Sequence, residues 1–208
     1  LQPGQAHGDV DALAVQREMI RRTIKEHLDK EKHLRPLGIK VLSLFFIDRV
    51  ANYRWYDDEG NPQPGKYALM FEEEYKRAIR KPKYRTLFEG ADLETAAEGL
   101  HDGYFAIDKK KDASGDGMLK ESRGAGTAQA DESAYQLIMR DKEKLLSFES
   151  KLKFIFSHSA LKEGWDNPNV FQICTLNETA SVLKKRQEIG RGLRIAVNQN
   201  GERVHGFD

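Results

Sequence analysis

The chain has 208 residues, 39% of them hydrophobic, and sets 34 Lys and Arg against 33 Asp and Glu for a formal net charge of +1. That is enough for one sizeable α/β domain or two small ones with a real core, and it leaves nucleic-acid binding to local rather than overall charge. One cysteine, Cys174, excludes an internal disulfide and fits a reducing cytoplasm; apolar runs of only a few residues exclude a transmembrane span, and six histidines without ligand spacing give no metal site.

In chain order, residues 1–8 carry Pro and Gly without an apolar pattern and read as a linker or the edge of a fragment. Val10 to Leu34 reads as a helix with Val15, Met19, Ile20, Ile24 and Leu28 at near-helical spacing, Asp9 or Asp11 as its cap, and Pro36 and Gly38 as its end. Ile39 to Ile47 fits a central parallel strand buried on both faces. Asp48 to Tyr56 is compatible with a helix that extends the first crossover, and Asp57 to Gly65 is turn-forming and polar, an exposed loop.

Tyr67 to Arg80 is helical, with Met70, Phe71, Tyr75 and Ile79 along one side. Lys81 to Leu100 shows no firm element beyond a short helix at Leu93 to Gly99, and Tyr104 to Asp108 reads as a strand. Lys109 to Ala130, rich in Lys, Gly, Ser and Asp, is expected to be mobile. A helix over Asp131 to Phe148 with Tyr135, Ile138, Met139, Leu145 and Leu146 as its contacts, strands near 152–157 and 170–175, a helix over 180–192 and a last strand near Arg203 complete the pattern. Strands alternating with helices imply parallel βαβ units with right-handed crossovers, and no internal repeat is visible.

Two segments carry chemistry. Gln187-Glu188-Ile189-Gly190-Arg191-Gly192-Leu193-Arg194 puts Arg191 and Arg194 three residues apart on one helix face, so that both guanidiniums can converge on an anion, with glycines that permit close approach. The alternative is an amphipathic surface helix with a solvated basic face. Five basic residues between Ser181 and Arg194 face the single Glu188, whereas Glu72 to Glu74 is acidic. Upstream, an apolar run from Lys153 to Phe156, a loop through Ser159, Gly164 and Asp166, and a second apolar run from Phe171 to Leu176 read as strand, loop, strand. In an open α/β sheet, such a loop lines the ligand crevice; Asp166-Asn167-Pro168 is equally a plain turn.

Together these segments resemble motifs V and VI of superfamily 2 helicases and translocases. More closely, residues 154–177 and 185–194 resemble the Res (restriction and helicase) subunit of type III restriction enzymes, and Ile39 to Asp48 is similar to that family's motif IV strand, which opens the second RecA-like domain. The likeness runs from about residue 12 to the end and is weak between 57 and 100.

The resemblance implies an α/β, RecA-like domain with a mainly parallel central sheet flanked by helices. It implies that Arg191 and Arg194 reach the γ-phosphate of ATP held with Mg2+ by the first RecA-like domain, with Gln187 orienting nucleotide or water and Gly190 allowing close approach. Such arginines contribute on the order of 10³ to 10⁵ in rate. Gly164 and Asp166 would contact the nucleotide or a motif VI arginine, and Ser159, Ala160 and Lys162 the nucleic acid. Trp165 stands where relatives carry a small apolar residue and reads either as a stacking platform or as packing beneath the loop.

No Gly-x-x-x-x-Gly-Lys-Ser/Thr loop occurs in the chain, and Asp131-Glu132 does not follow a strand. The expectation is therefore a second, C-terminal RecA-like domain over 9–208, with 57–130 a family-specific insertion and no ATPase activity by itself. The nuclease domain would lie beyond Asp208. The expected partners are double-stranded DNA, the first RecA-like domain of the same polypeptide and a methyltransferase subunit, in the cytoplasm and away from membranes. The alternatives are the equivalent domain of another superfamily 2 RNA or DNA-repair helicase, or a non-catalytic binding module with this fold.

Overall fold

A computed structural model describes residues 12–90, 92–93, 96–97, 99–105, 110–111, 117–118, 138, 140–158, 167–176 and 195–204 of the protein. Helix α1 spans Ala12–Leu34 and buries Ile20, Ile24, His27, Leu28, Glu31 and Leu34, a single face at 3.6-residue periodicity. Val15, expected in that stripe, is 43% exposed. It lies five residues before Ile20, roughly 140° around the helix at 100° per residue. The expected caps, Asp9 and Asp11, lie outside the described residues. A 3-10 turn over Arg35–Leu37, with Pro36 inside it, ends the helix, and Gly38 follows at φ 71 in the left-handed region that glycine adopts without Cβ strain.

Strand β1 (Leu42–Phe46) is buried throughout. The helix considered for Asp48 to Tyr56 is not formed: a 3-10 turn over Val50–Asn52 leads into β2 (Arg54–Tyr56), which pairs antiparallel with β3 (Pro62–Pro64). The expected loop between them is thus the turn of a hairpin. Its reversal is set by Asp57, whose Oδ1 accepts the N–H groups of Glu59 (3.1 Å) and Asn61 (2.8 Å) while Oδ2 accepts from Gln63 Nε2 (2.9 Å). Gly65 closes the hairpin against the preceding turn; a Cβ there would lie 2.4 Å from the Asn52 carbonyl carbon.

Helix α2 (Lys66–Ile79) forms close to the expected bounds and buries Met70, Phe71, Tyr75 and Ile79. A 3-10 helix over Pro82–Leu87 follows, where the sequence shows nothing firm. Of the short helix expected over 93–99, the described residues 96, 97 and 99 lie in turns. Strand β4 is His101–Tyr104, three residues ahead of its expected start at Tyr104, because pairing with β7 aligns His101 with Phe154. Within the stretch expected to be mobile, β5 (Lys110–Lys111) and β6 (Gly117–Met118) pair antiparallel. The helix expected over Asp131 to Phe148 is confined, among the described residues, to α3 (Lys142–Leu146), preceded by π-helical turns at Ile138 and Arg140. Strands β7 (Phe154–Ser157), β8 (Val170–Thr175), β9 (Ala196–Val197) and β10 (Arg203–Val204) follow, the last two an antiparallel pair.

Strands β4, β7, β1 and β8 form, in that order, one all-parallel sheet. Alternation along the strands sends Phe45, Phe154 and Phe156 to the face covered by α1 and α2, and Leu42, Leu44, Phe46 and Ile155 to the other, where Leu145 of α3 and the preceding Ile138 pack. The first face is aromatic: Phe45 stacks on Phe156 at 4.5 Å, and Phe71 meets Phe154 edge-on at 4.7 Å. Helices α1 and α2 run side by side, joined by the Glu74 carboxylate, which is 1% exposed and accepts from Arg21 (2.9 Å), Arg77 (3.0 Å) and Arg17 (3.2 Å). A parallel sheet covered by helices on both faces is the α/β, RecA-like architecture that the sequence leads one to expect.

Candidate functional site

Ligands of open parallel sheets bind outside the carboxyl ends of the strands. Here those ends are Phe46, Tyr104, Ser157 and Thr175. The edge is tied together by Ile47 N–H to Ser157 O (2.9 Å) and Leu176 N–H to Phe46 O (2.8 Å). Two segments begin from it: the chain leaves the described sheet after His158, at the end of β7, and again after Leu176, at the end of β8. Strands β7 and β8 flank β1, so the two exits are two inter-strand spacings apart, roughly 10 Å.

All the site residues expected from sequence fall within these segments. Ser159, Ala160, Lys162, Gly164 and Asp166, and Gln187, Gly190, Arg191 and Arg194, lie outside the described residues, as does Trp165. What is described is the frame that launches and receives the segments.

On the launching side, Ser157 is fully buried, and its hydroxyl has no hydrogen-bond partner among the described residues. Half-buried Asp48 follows β1, where its Oδ1 accepts from Asn52 Nδ2 (2.7 Å). Burial acts to raise the Asp48 carboxyl, but the Asn52 bond and backbone N–H groups outweigh it and hold it below its ordinary range. The β2–β3 hairpin also rises from this edge, anchored by Arg54 to Asp102 (3.2 Å) and by Tyr53 Oη to His101 Nδ1 (2.9 Å), with Trp55 47% exposed on it.

On the receiving side, Asn167 and Asn169 are fully buried. Asn167 Oδ1 accepts the Asn169 N–H (3.1 Å), and the Asn169 side chain bonds Val197 twice, accepting its N–H and donating to its carbonyl, both at 2.8 Å. Asn169 thus acts as a peptide surrogate that pins the residues after the second segment to those after the first. Sequence reasoning reads Asn167-Pro168 as a turn and does not single out Asn169. The signal for it is an amide placed immediately before a strand, where it can bond backbone.

A second polar cluster lies at the opposite, amino-terminal edge. Glu31 Oε1 accepts from Lys153 and from Arg35 (3.3 Å), and Glu31 Oε2 faces His27 Nε2 at 3.5 Å. His27 Nδ1 meets Ser43 Oγ at 2.8 Å, and Ser43 donates to Gln172 Oε1 at 2.9 Å. Burial acts to raise Glu31, but the contact with His27 and the charge of Lys153 hold it well below the ordinary carboxylate range. His27 is pushed down by burial, against the pull of Glu31. Lys40 donates to the carbonyls of Leu145 (2.7 Å), Ser150 (2.7 Å) and Ser147 (3.0 Å). Burial pushes it to about 7, while three acceptors on one ammonium favour the charged form. This cluster is interior scaffolding: its groups bond to one another and to the backbone, except that His27 Nε2 and Glu31 Oε2 face each other without a hydrogen-bond partner among the described residues.

Cys174 is buried, and burial raises its thiol to about 11, which leaves it unreactive. Among the described residues no group of three or more His, Cys, Asp or Glu is arranged to hold a metal ion, and no helix is long and apolar enough to cross a membrane.

The chain matches no family model. It is 38% identical over 192 residues to the Res subunit of the type III restriction-modification enzyme EcoP15I of Escherichia coli and 39% identical over 192 residues to that of EcoPI of Escherichia phage P1, each alignment covering 87% of this chain. It is 38% identical over 183 residues, 80% of the chain, to the StyLTI Res subunit of Salmonella typhimurium. The chain spans 17% of the length of each of these relatives. Identity at this level across nearly the whole of a RecA-like domain makes the chain a relative of the Res subunits of type III restriction-modification enzymes.

Proposed function

We propose that the chain is the second, C-terminal RecA-like domain of an ATP-dependent DNA translocase, the Res subunit of a type III restriction enzyme. The observation that carries this reading is the departure of both motif-bearing segments from the carboxyl edge of a parallel sheet, on either side of its central strand β1, within a sequence close to Res subunits. In this reading Arg191 and Arg194 donate to the γ-phosphate of ATP bound mainly by the first RecA-like domain, and Gln187 orients the nucleotide or the attacking water. Gly190 and Gly164 let backbone approach the nucleotide, and Asp166 accepts from its ribose or from a motif VI arginine. Ser159, Ala160 and Lys162 bond DNA phosphates.

The donor set suits half of such a site. The sequence carries arginines for a phosphate but no phosphate-binding loop. Magnesium would neutralise phosphate charge from the first domain; this chain's part is to supply guanidiniums and to couple them, through the segment after β7, to DNA. The buried Ser157 hydroxyl at the head of that segment, without a partner among the described residues, supports this reading. Double-stranded DNA, the first RecA-like domain and a methyltransferase subunit are the partners of this reading, and the cytoplasm is its place.

The test is DNA-stimulated ATP hydrolysis by the full-length protein. Arg191→Ala or Arg194→Ala is expected to lower turnover by on the order of 10³ with duplex DNA still bound. Unchanged turnover in both variants would overturn the reading.

A further inference from the structure

Between Glu74 and Glu89 the chain has no acidic residue and six basic ones, Lys76, Arg77, Arg80, Lys81, Lys83 and Arg85. In a protein of net charge +1 this is a marked concentration. Arg77, Arg80, Lys81, Lys83 and Arg85 are exposed. Favourable charge at the carboxyl end of α2 accounts for Lys76, Arg77 and Arg80. It does not account for Lys81, Lys83 and Arg85, which lie beyond the helix.

The segment is also held rigid. Tyr84 is buried and donates to Asp29 Oδ1 (2.8 Å), and Lys83 pairs with the same carboxylate (2.7 Å) while lying over the Tyr84 ring. Pro82 fixes the turn between Lys81 and Lys83. The neighbouring cations are therefore presented from a fixed scaffold, which lowers the entropy cost of binding an extended anion. Tyr84 docks beside Lys25 and Asp29, in the half of α1 that descends to the amino-terminal edge of the sheet, so this surface faces away from the exits at His158 and Leu176.

We propose that residues 76–85 form a second binding surface for the phosphate backbone of duplex DNA, on the outer helical face and separate from the carboxyl edge. The choice of DNA as the polyanion rests on the translocase reading above. A surface of this kind grips without reading sequence: it neutralises phosphates and releases counterions, so its signature is salt dependence.

The experiment compares the full-length protein with an Arg80→Gln/Lys81→Gln/Arg85→Gln variant, by fluorescence anisotropy on a fluorescent duplex without ATP, from 50 to 200 mM salt. The slope of log affinity against log salt is expected to fall by about 2 to 3, near 0.9 for each phosphate that the variant no longer neutralises, equally on unrelated duplex sequences. A Lys142→Gln/Lys144→Gln/Lys151→Gln variant, which removes the same charge elsewhere, is expected to keep the parent slope. An unchanged slope in the first variant, or an equal fall in the second, overturns the proposal. So does unchanged DNA binding together with failure to associate with the methyltransferase subunit, which would assign the surface to a protein. At saturating DNA the first variant is expected to keep its ATPase turnover, whereas Arg191→Ala loses turnover and keeps the salt slope, so the two readings fail separately.

Discussion

The two edges of the sheet treat polar groups in opposite ways. At the amino-terminal edge Lys40, Lys153, Glu31, His27, Ser43 and Gln172 are drawn into the interior and bonded to one another and to backbone. At the carboxyl edge the buried Ser157 hydroxyl has no partner among the described residues, Asp48 is half-buried, and the chain leaves the sheet twice. Buried charge is tolerated only when it is paired, so the first edge is committed to holding the fold. At the second, Asp48 is held by Asn52, and the Ser157 hydroxyl lacks a partner among the described residues. What separates the edges is charge: the first buries a carboxylate with its cations, Glu31 with Lys153 and Arg35, whereas the second buries the neutral Ser157 hydroxyl beside the departing chain.

The largest expected effect tests that commitment. Glu31→Ala removes the carboxylate shared by Lys153, Arg35 and His27 and leaves Lys153 largely buried without its partner, which should cost roughly 3–5 kcal/mol in urea unfolding. A loss below about 1 kcal/mol would show that water reaches this edge and would erase the contrast. Asn169→Ala, which strips two hydrogen bonds from Val197, should cost about 1–3 kcal/mol and speed amide exchange at Val197 more than in β7.

The smallest effect is a pH slope. Burial works to raise Asp29, but hydrogen bonds from Lys83, Tyr84 and Lys25 hold it at about 2, and Glu31 is likewise depressed. A carboxyl with a lowered folded pKa contributes stability that is present above its unfolded value near 4 and lost as pH falls through the folded one. His27, lowered by burial, acts in the same sense, with stability lost as pH falls below its ordinary 6.5. Unfolding midpoints should therefore decline from about pH 7 to about pH 3, and His27→Gln should make the decline that begins below about pH 6.5 shallower. A parent midpoint that rose on acidification would contradict these assignments.

Much of this is legible in the chain. The core of β1, the end of β7, both termini of β8, the α2 stripe and the breaker at Gly38 follow from apolar periodicity and local backbone preference, which act over a few residues. The β2–β3 hairpin is not, because aromatic Trp55 and Tyr56 are separated from their partners by a polar turn that a single Asp57 side chain organises. Strand β4 starts earlier than its apolar residues suggest because its bounds depend on pairing with Phe154, more than fifty residues away. Of the candidate site, the strand-loop-strand pattern points to the segment after β7 and to the carboxyl edge it leaves; the burial of Ser157 and the bonds from Asn169 to Val197 depend on distant residues and cannot be read there.

Sequence by itself determined the class of the molecule, the order of its parallel elements along the chain, the arginine pair at Arg191 and Arg194 and the missing phosphate loop, because residue identity and spacing carry each of these. Only tertiary structure decided that Glu31, Lys40 and His27 are interior scaffold, that Asn169 stands in for a peptide to hold Val197, and that the cations of 76–85 share one rigid outer surface. Burial and pairing are relations between distant residues. No local pattern records them until the sheet has formed.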